Sequence, residues 1–224
     1  KVCQGVTRRT PHPHTLCGQA DGVPIRCVDC HKSKTGMKRV GVTDIISLSA
    51  CGSLTTDLPP GTFVLVEQYV DRTIAREKSF FGAGLVAHVS MAHPVCPKLV
   101  DALERAARAE GIPHRRGGTY LAMEGPQFST LAESELYRAW GCHVIGMTNM
   151  PEAKLAREAE LPYASVAMVT DFDCWHPDHD NADVAAIVRV LQANTAKASA
   201  LVKRVAPFLG PEREPSPLGI ETCL

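Results

Sequence analysis

The chain has 224 residues, 45% hydrophobic and 21% charged, which is enough apolar material for one large globular domain or two small ones. Its 24 lysines and arginines balance 24 acids, which removes any bulk electrostatic case for nucleic acid or an anionic membrane as partner. No apolar stretch reaches the roughly 18 residues of a membrane span, and residues 1–30 carry no signal-peptide hydrophobic region, so a cytoplasmic location is the expectation.

Residues 1–37 show neither helical nor alternating apolar periodicity, and turn formers and histidines dominate them. They also hold Cys3, Cys17, Cys27 and Cys30, four of the nine cysteines. The other five are scattered and read as small buried hydrophobes. "CVDCH", Cys27 to His31, matches a c-type haem attachment signature, and Cys17, Cys27, Cys30 and His31 could together meet zinc. Five-residue motifs occur often by accident, and the paired zinc spacing is missing, so the expectation is no cofactor and no metal.

From Lys38 the pattern becomes regular. Ile45, Ile46 and Leu48 predict a short buried strand that runs into a small-residue turn at Ser49–Gly52. A second strand is expected around Phe63–Val66 after the Pro59-Pro60-Gly61 turn, and a third over residues 85–89. "PKLVDALERAARAEG" sets Leu99, Leu103, Ala106 and Ala107 on one helix face and stops at Gly111. A strand near Tyr120–Met123, a helix over Ser129–Trp140 and a strand over His143–Met147 follow. A further helix is expected from Pro151, a residue suited to a first helical turn. "YASVAMVT" is another buried strand, and residues 183–205 form a long closing helix. Strand and helix alternate, so the fold class is α/β. The stretch 207–224 holds four prolines and is expected to be a loose tail.

Three segments stand at the expected carboxyl ends of strands, where ligands of open α/β sheets collect. They are Ser49-Ala50-Cys51-Gly52, Met147-Thr148-Asn149 and Thr170-Asp171-Phe172-Asp173. The first two offer hydroxyls and backbone N–H groups that suit an anion, although Ser49 and Thr148 could equally cap turns. Asp171 and Asp173 could bind a metal, solvate a turn or grip a nitrogen-rich ligand. His176, Asp178 and His179 follow them in a proline-broken "HPDHD" that has no recognised zinc spacing.

The motifs Ser49–Leu54, Asp71–Thr73 ("DRT"), Met91–Pro97, Glu124–Phe128, Met147–Glu152 and Thr170–Trp175 together resemble the trimeric purine nucleoside phosphorylases, and within them the branch that cleaves methylthioadenosine. They occur in family order across residues 38–206. The resemblance implies a mixed central sheet flanked by helices, a homotrimer, and a nucleoside and inorganic phosphate as substrates. It places Glu124–Ser129 as a wall beneath the nucleoside, with Phe128 against the purine and Ser129 near it. It puts Met147 against the ribose, and Ser49, the Ala50 backbone and Thr148 around phosphate. His88 would cross the trimer interface toward the neighbour's alkylthio end, while Val184 and Ile187 line that apolar slot.

The same resemblance implies a chemistry. Phosphate attacks C1′ as the glycosidic bond breaks, and a protonated Asp171, supported by Asp173, donates to N7 of the leaving purine. Relatives that cleave 6-oxopurines carry asparagine where Asp171 stands and glutamate in place of Ser129, so a 6-aminopurine nucleoside is expected. 5′-Methylthioadenosine, cleaved to adenine and 5-methylthioribose 1-phosphate, is the expected substrate.

The resemblance also implies an N-terminally incomplete domain. The family's Gly-Gly-Thr/Ser-Gly loop, Arg-His pair and Asn-Tyr-Arg-Ala-Asn segment have no counterpart in this sequence. Each lost charge-assisted hydrogen bond is worth roughly 1.5–3 kcal/mol, so two or three would lower phosphate use by roughly 10³-fold or more. The expectation is weak phosphorolysis. A nucleoside-binding remnant without turnover, or a 6-oxopurine phosphorylase, are the alternatives.

Overall fold

A mostly apolar stretch such as Tyr163–Phe172 suits a strand buried on both faces, and the chain builds its main sheet around it. The computed structural model describes residues 15–20, 23–28, 37–38, 40–81, 84–177 and 184–210. The strands are β1 (Thr15–Ala20), β2 (Val23–Val28), β3 (Ile45–Ser53), β4 (Phe63–Val66), β5 (Gln68–Arg72), β6 (His114–Arg116), β7 (Thr119–Met123), β8 (Val144–Gly146) and β9 (Tyr163–Phe172). The helices are α1 (Pro97–Ala109), α2 (Leu131–Ala139), α3 (Glu152–Glu158) and α4 (Val184–Val205), followed by a 3-10 turn at Ala206–Leu209.

β1 and β2 form an antiparallel hairpin, and the other strands form one seven-stranded sheet in the order β5-β7-β8-β3-β9-β4-β6. The sheet is mixed. β3 runs parallel to β9, and β5, β7 and β8 run parallel to one another, but β3 meets β8 antiparallel, as β4 meets β9. Haem or zinc ligation at Cys30 and His31 falls outside the described residues.

Strand alternation divides the core in two. Phe63, Leu65, Ala164, Val166 and Met168 face α1 and α4, where Leu99, Leu103, Ala106 and Leu201 are fully buried. Val64, Val66, Ala167 and Val169 face the other way, toward Ala153 and Ala156 of α3 and the rings of Tyr120 and Tyr163. Each such aliphatic or aromatic side chain contributes roughly 1.5–3 kcal/mol when removed from water. A smaller cluster of Leu54, Leu121, Met123, Tyr137 and Ile145 seats α2. That helix begins with a capping box, in which the Thr130 hydroxyl accepts from Glu133 N and the Glu133 carboxylate accepts from Thr130 N.

The expected strand over residues 85–89 does not form. Leu85 and Val86 are exposed there, and the segment offers only an isolated bridging residue at Val89. Nor are Ser49–Gly52 a turn: β3 continues through them, and its register with β9 slips by one residue between Cys51 and Gly52. The small side chains serve close packing, because a Cβ on Gly52 would stand 3.2 Å from Asp171 Oδ1 and 3.3 Å from Ile145 Cγ2. Thr170 to Phe172 likewise belong to β9 rather than to a loop.

Candidate active site

The antiparallel pairing of β3 with β8 sets the site. Gly52 lies opposite Ile145 and Ser53 opposite Val144, so the chain leaving β8 runs back along β3 toward its earlier residues. Met147 and Thr148 are thereby carried toward Ala50 and Ser49. The site is therefore not the carboxyl-end crevice of a parallel sheet; it lies where an antiparallel strand parts from its neighbour.

Tyr120 marks the meeting point. Its hydroxyl lies 3.2 Å from Thr148 Oγ1 and 3.5 Å from Thr148 N, and Ser49 is a further neighbour. Burial above all pushes this phenol up to about 12, against the opposing hydrogen bond of Thr148. The ring crosses Gly146, where an ideal Cβ would stand 2.0 Å from the Tyr120 oxygen and 3.5 Å from the Ala50 carbonyl. Ser49, Ala50 and Thr148 thus share one locality. Ser49 Oγ is buried and makes no hydrogen bond among the described residues.

Asp171 and Asp173 stand against Gly52, at and just beyond the end of β9. Thr170 Oγ1 lies 2.6 Å from Asp171 Oδ2. Asp173 is buried, and its Oδ2 makes no hydrogen bond among the described residues. Its backbone N donates to the Ser53 carbonyl at 3.1 Å, and Trp175 Nε1 donates to the same carbonyl at 2.8 Å. These two bonds fold the segment after β9 over the end of β3. Burial, and then the Asp171 charge, raise the Cys51 thiol well above its ordinary value.

The segment Glu124–Ser129 touches both groups of residues. Gly125 packs so closely on Met147 that a Cβ would sit 2.5 Å from Met147 Sδ, and it adopts a φ of +69°, which glycine tolerates. Cys174 Sγ lies 3.5 Å from the Ser129 carbonyl, and Ser129 Oγ lies 3.5 Å from Met123 Sδ. Phe128 is 80% exposed on the rim. His88 is exposed at a distance in sequence from these loops. Val184 and Ile187 fall on the opening turns of α4, and their side chains lie outside the described residues, as do Asp178 and His179.

Sequence reasoning missed Arg76. Its Nη1 donates to the carbonyls of Met147 (2.8 Å) and Met150 (2.6 Å). Its Nη2 donates to those of Glu124 (2.7 Å) and Met123 (3.3 Å). Nε reaches the Glu124 carboxylate at 3.3 Å, and that carboxylate also accepts from the N–H groups of Ile74 and Ala75. The Ile74 bond foremost, with Arg76 added, holds the Glu124 carboxyl below its ordinary range. Nearby, burial raises the Asp71 carboxyl, but hydrogen bonds from Lys154 and Thr73 outweigh it and leave the group at about 2.

The profile of the phosphorylase superfamily matches residues 24–207. S-methyl-5′-thioadenosine phosphorylase of Rhodospirillum rubrum is 68% identical over 188 residues, 84% of this chain and 64% of the relative. The chain thus spans slightly less than two thirds of that protein's length. The corresponding protein of Cereibacter sphaeroides is 54% identical, with 96% of this chain and 79% of the relative covered.

Among solved structures, a methylthioadenosine phosphorylase from an antarctic soil metagenomic library superposes with a TM-score of 0.86 at 38% identity, covering 94% of this chain and 80% of its own. The Schistosoma mansoni enzyme in complex with adenine gives 0.76 at 34% identity, covering 80% and 70%. A point variant of that enzyme in complex with methylthioadenosine gives 0.75 at 33%, covering 80% and 69%. With the fold, the residue order and these relatives in agreement, the chain belongs to the phosphorylase superfamily, in its methylthioadenosine phosphorylase branch.

Proposed function

We propose that the protein carries out phosphorolysis of 5′-methylthioadenosine, releasing adenine and 5-methylthioribose 1-phosphate. One observation carries this reading: the carboxylate pair Asp171–Asp173 and the hydroxyl group of residues at Ser49 and Thr148 flank the same glycine-tight junction of β3, β8 and β9. Phosphate enters on the Ser49–Ala50–Thr148 side and the purine on the Asp171–Asp173 side, with the ribose between them over Met147. Phosphate attacks C1′ as the C1′–N9 bond breaks. Asp171, protonated, donates to N7 as negative charge builds on the base, and its second oxygen accepts from the 6-amino group. The Schistosoma mansoni complexes with adenine and methylthioadenosine support a 6-aminopurine ligand.

Methylthioadenosine and inosine compared at equal phosphate test the reading. The expected result is adenine release that requires phosphate, at a kcat/KM at least tenfold above that for inosine. Faster inosine cleavage, or base release that ignores phosphate, would sink it.

A homotrimer completes the proposed site, with exposed His88 reaching the 5′ end of a neighbour's nucleoside and Val184 and Ile187 lining the same slot. Sedimentation equilibrium at micromolar concentration is expected to give three times the chain mass. A folded monomer across that range would remove the trimer from the proposal.

A further inference from the structure

The Tyr120 ring belongs to the core, fully buried and edge-on to Tyr69 with centroids 6.2 Å apart. Its hydroxyl instead ends among the residues assigned to phosphate. A phenol can accept one hydrogen bond while donating another. The Thr148 backbone N–H points to the phenol oxygen at 3.5 Å, and the phenol oxygen stands 3.2 Å from Thr148 Oγ1. Either oxygen can be the donor between the two hydroxyls; with the backbone N–H already donating to the phenol, the phenol proton can be given to Thr148 Oγ1. That oxygen then accepts, and the Thr148 proton is left to point outward at an anion. A phenol pushed up to about 12 keeps its proton at neutral pH and remains a donor. Ser49, only 9% exposed and with an Oγ that makes no hydrogen bond among the described residues, adjoins the same hydroxyl. The arrangement needs glycine at 146, since any Cβ there would collide with the phenol oxygen.

We propose that Tyr120 is a positioning residue for inorganic phosphate, holding the Thr148 hydroxyl as a donor toward it, a role that rests on the phosphorolysis reading above. Tyr120→Phe removes one oxygen and keeps the ring that fills the core. Its KM for phosphate is expected to rise about tenfold, while its KM for methylthioadenosine stays within twofold of the parent. In a Thr148→Val background the same change is expected to cost nothing further in phosphate KM, because the hydroxyl that Tyr120 orients is already gone. An unchanged phosphate KM would overturn the proposal, and so would equal rises in both KM values, which report a general loss of packing.

Should the unmodified protein turn over no nucleoside, the phosphorolysis reading fails by itself, and phosphate titration by calorimetry then tests Tyr120. Tenfold weaker phosphate binding in Tyr120→Phe supports the role. Equal binding, or no phosphate binding by the parent protein, overturns it.

Discussion

Asp171→Ala is expected to lower kcat/KM for methylthioadenosine by about 10²–10⁴-fold, the usual contribution of a positioned general acid. The carboxyl lies at the end of β9, beside Gly52, with Thr170 Oγ1 2.6 Å from one of its oxygens. That hydroxyl fixes the orientation of the carboxyl that the proposal sets against the base. Because Asp171 is only half-buried, its removal should leave the thermal midpoint nearly unchanged. The loss should also depend on the leaving group. A substrate methylated at N7 already carries positive charge on the base and needs no proton, so Asp171→Ala should slow its cleavage far less. A loss below tenfold for methylthioadenosine, or equal losses for both substrates, would show that Asp171 is not the acid.

Gly146→Ala is expected to be the most damaging single methyl in the sheet. Its Cβ would lie 2.0 Å from the Tyr120 oxygen and 2.9 Å from Cζ, and Tyr120 is fully buried with no room to withdraw. Overpacking of this kind costs about 1–3 kcal/mol or more. For a chain of this size each kcal/mol moves the thermal midpoint by about 2–4 °C, so a fall of about 2–12 °C should appear by calorimetry. Combining it with Tyr120→Phe should restore part of the loss, since the nearest atom is then absent while Cζ still crowds the site. A Gly146→Ala protein that melts with the parent would mean that Tyr120 does not cross residue 146.

Elements whose side chains face apolar surroundings were legible from the sequence. β4 announces itself as an unbroken apolar run, β9 as a mostly apolar one, and α1 by Leu99, Leu103, Ala106 and Ala107 on one stripe. The edge strands β5 and β6 were not legible, because "QYVDR" and "HRR" are half-exposed and polar, without alternation to read. Leu85–Val89 misled in the opposite sense: it has strand composition but forms only an isolated bridge at Val89. Ser49–Gly52 misled because small residues signal turns, whereas here they are small to admit Asp171 and Ile145 at close range. Most candidate ligands were found through family order rather than spacing. Arg76 and Tyr120 escaped both routes. One lies in an irregular segment with no periodic signal, and the other looks like any aromatic residue in a buried strand.

Arg76 ties Met123 and Glu124 to the loop after β8 with one planar group, bonded to carbonyls of both. Flexible loops that close on a ligand lose conformational freedom at every binding event, about 0.5–1.5 kcal/mol for each side chain immobilised. Here the guanidinium removes that freedom when the chain folds, before any ligand arrives. Under the proposed function, contacts made later by a nucleoside would therefore go into affinity and alignment instead of into stilling the loops that receive it.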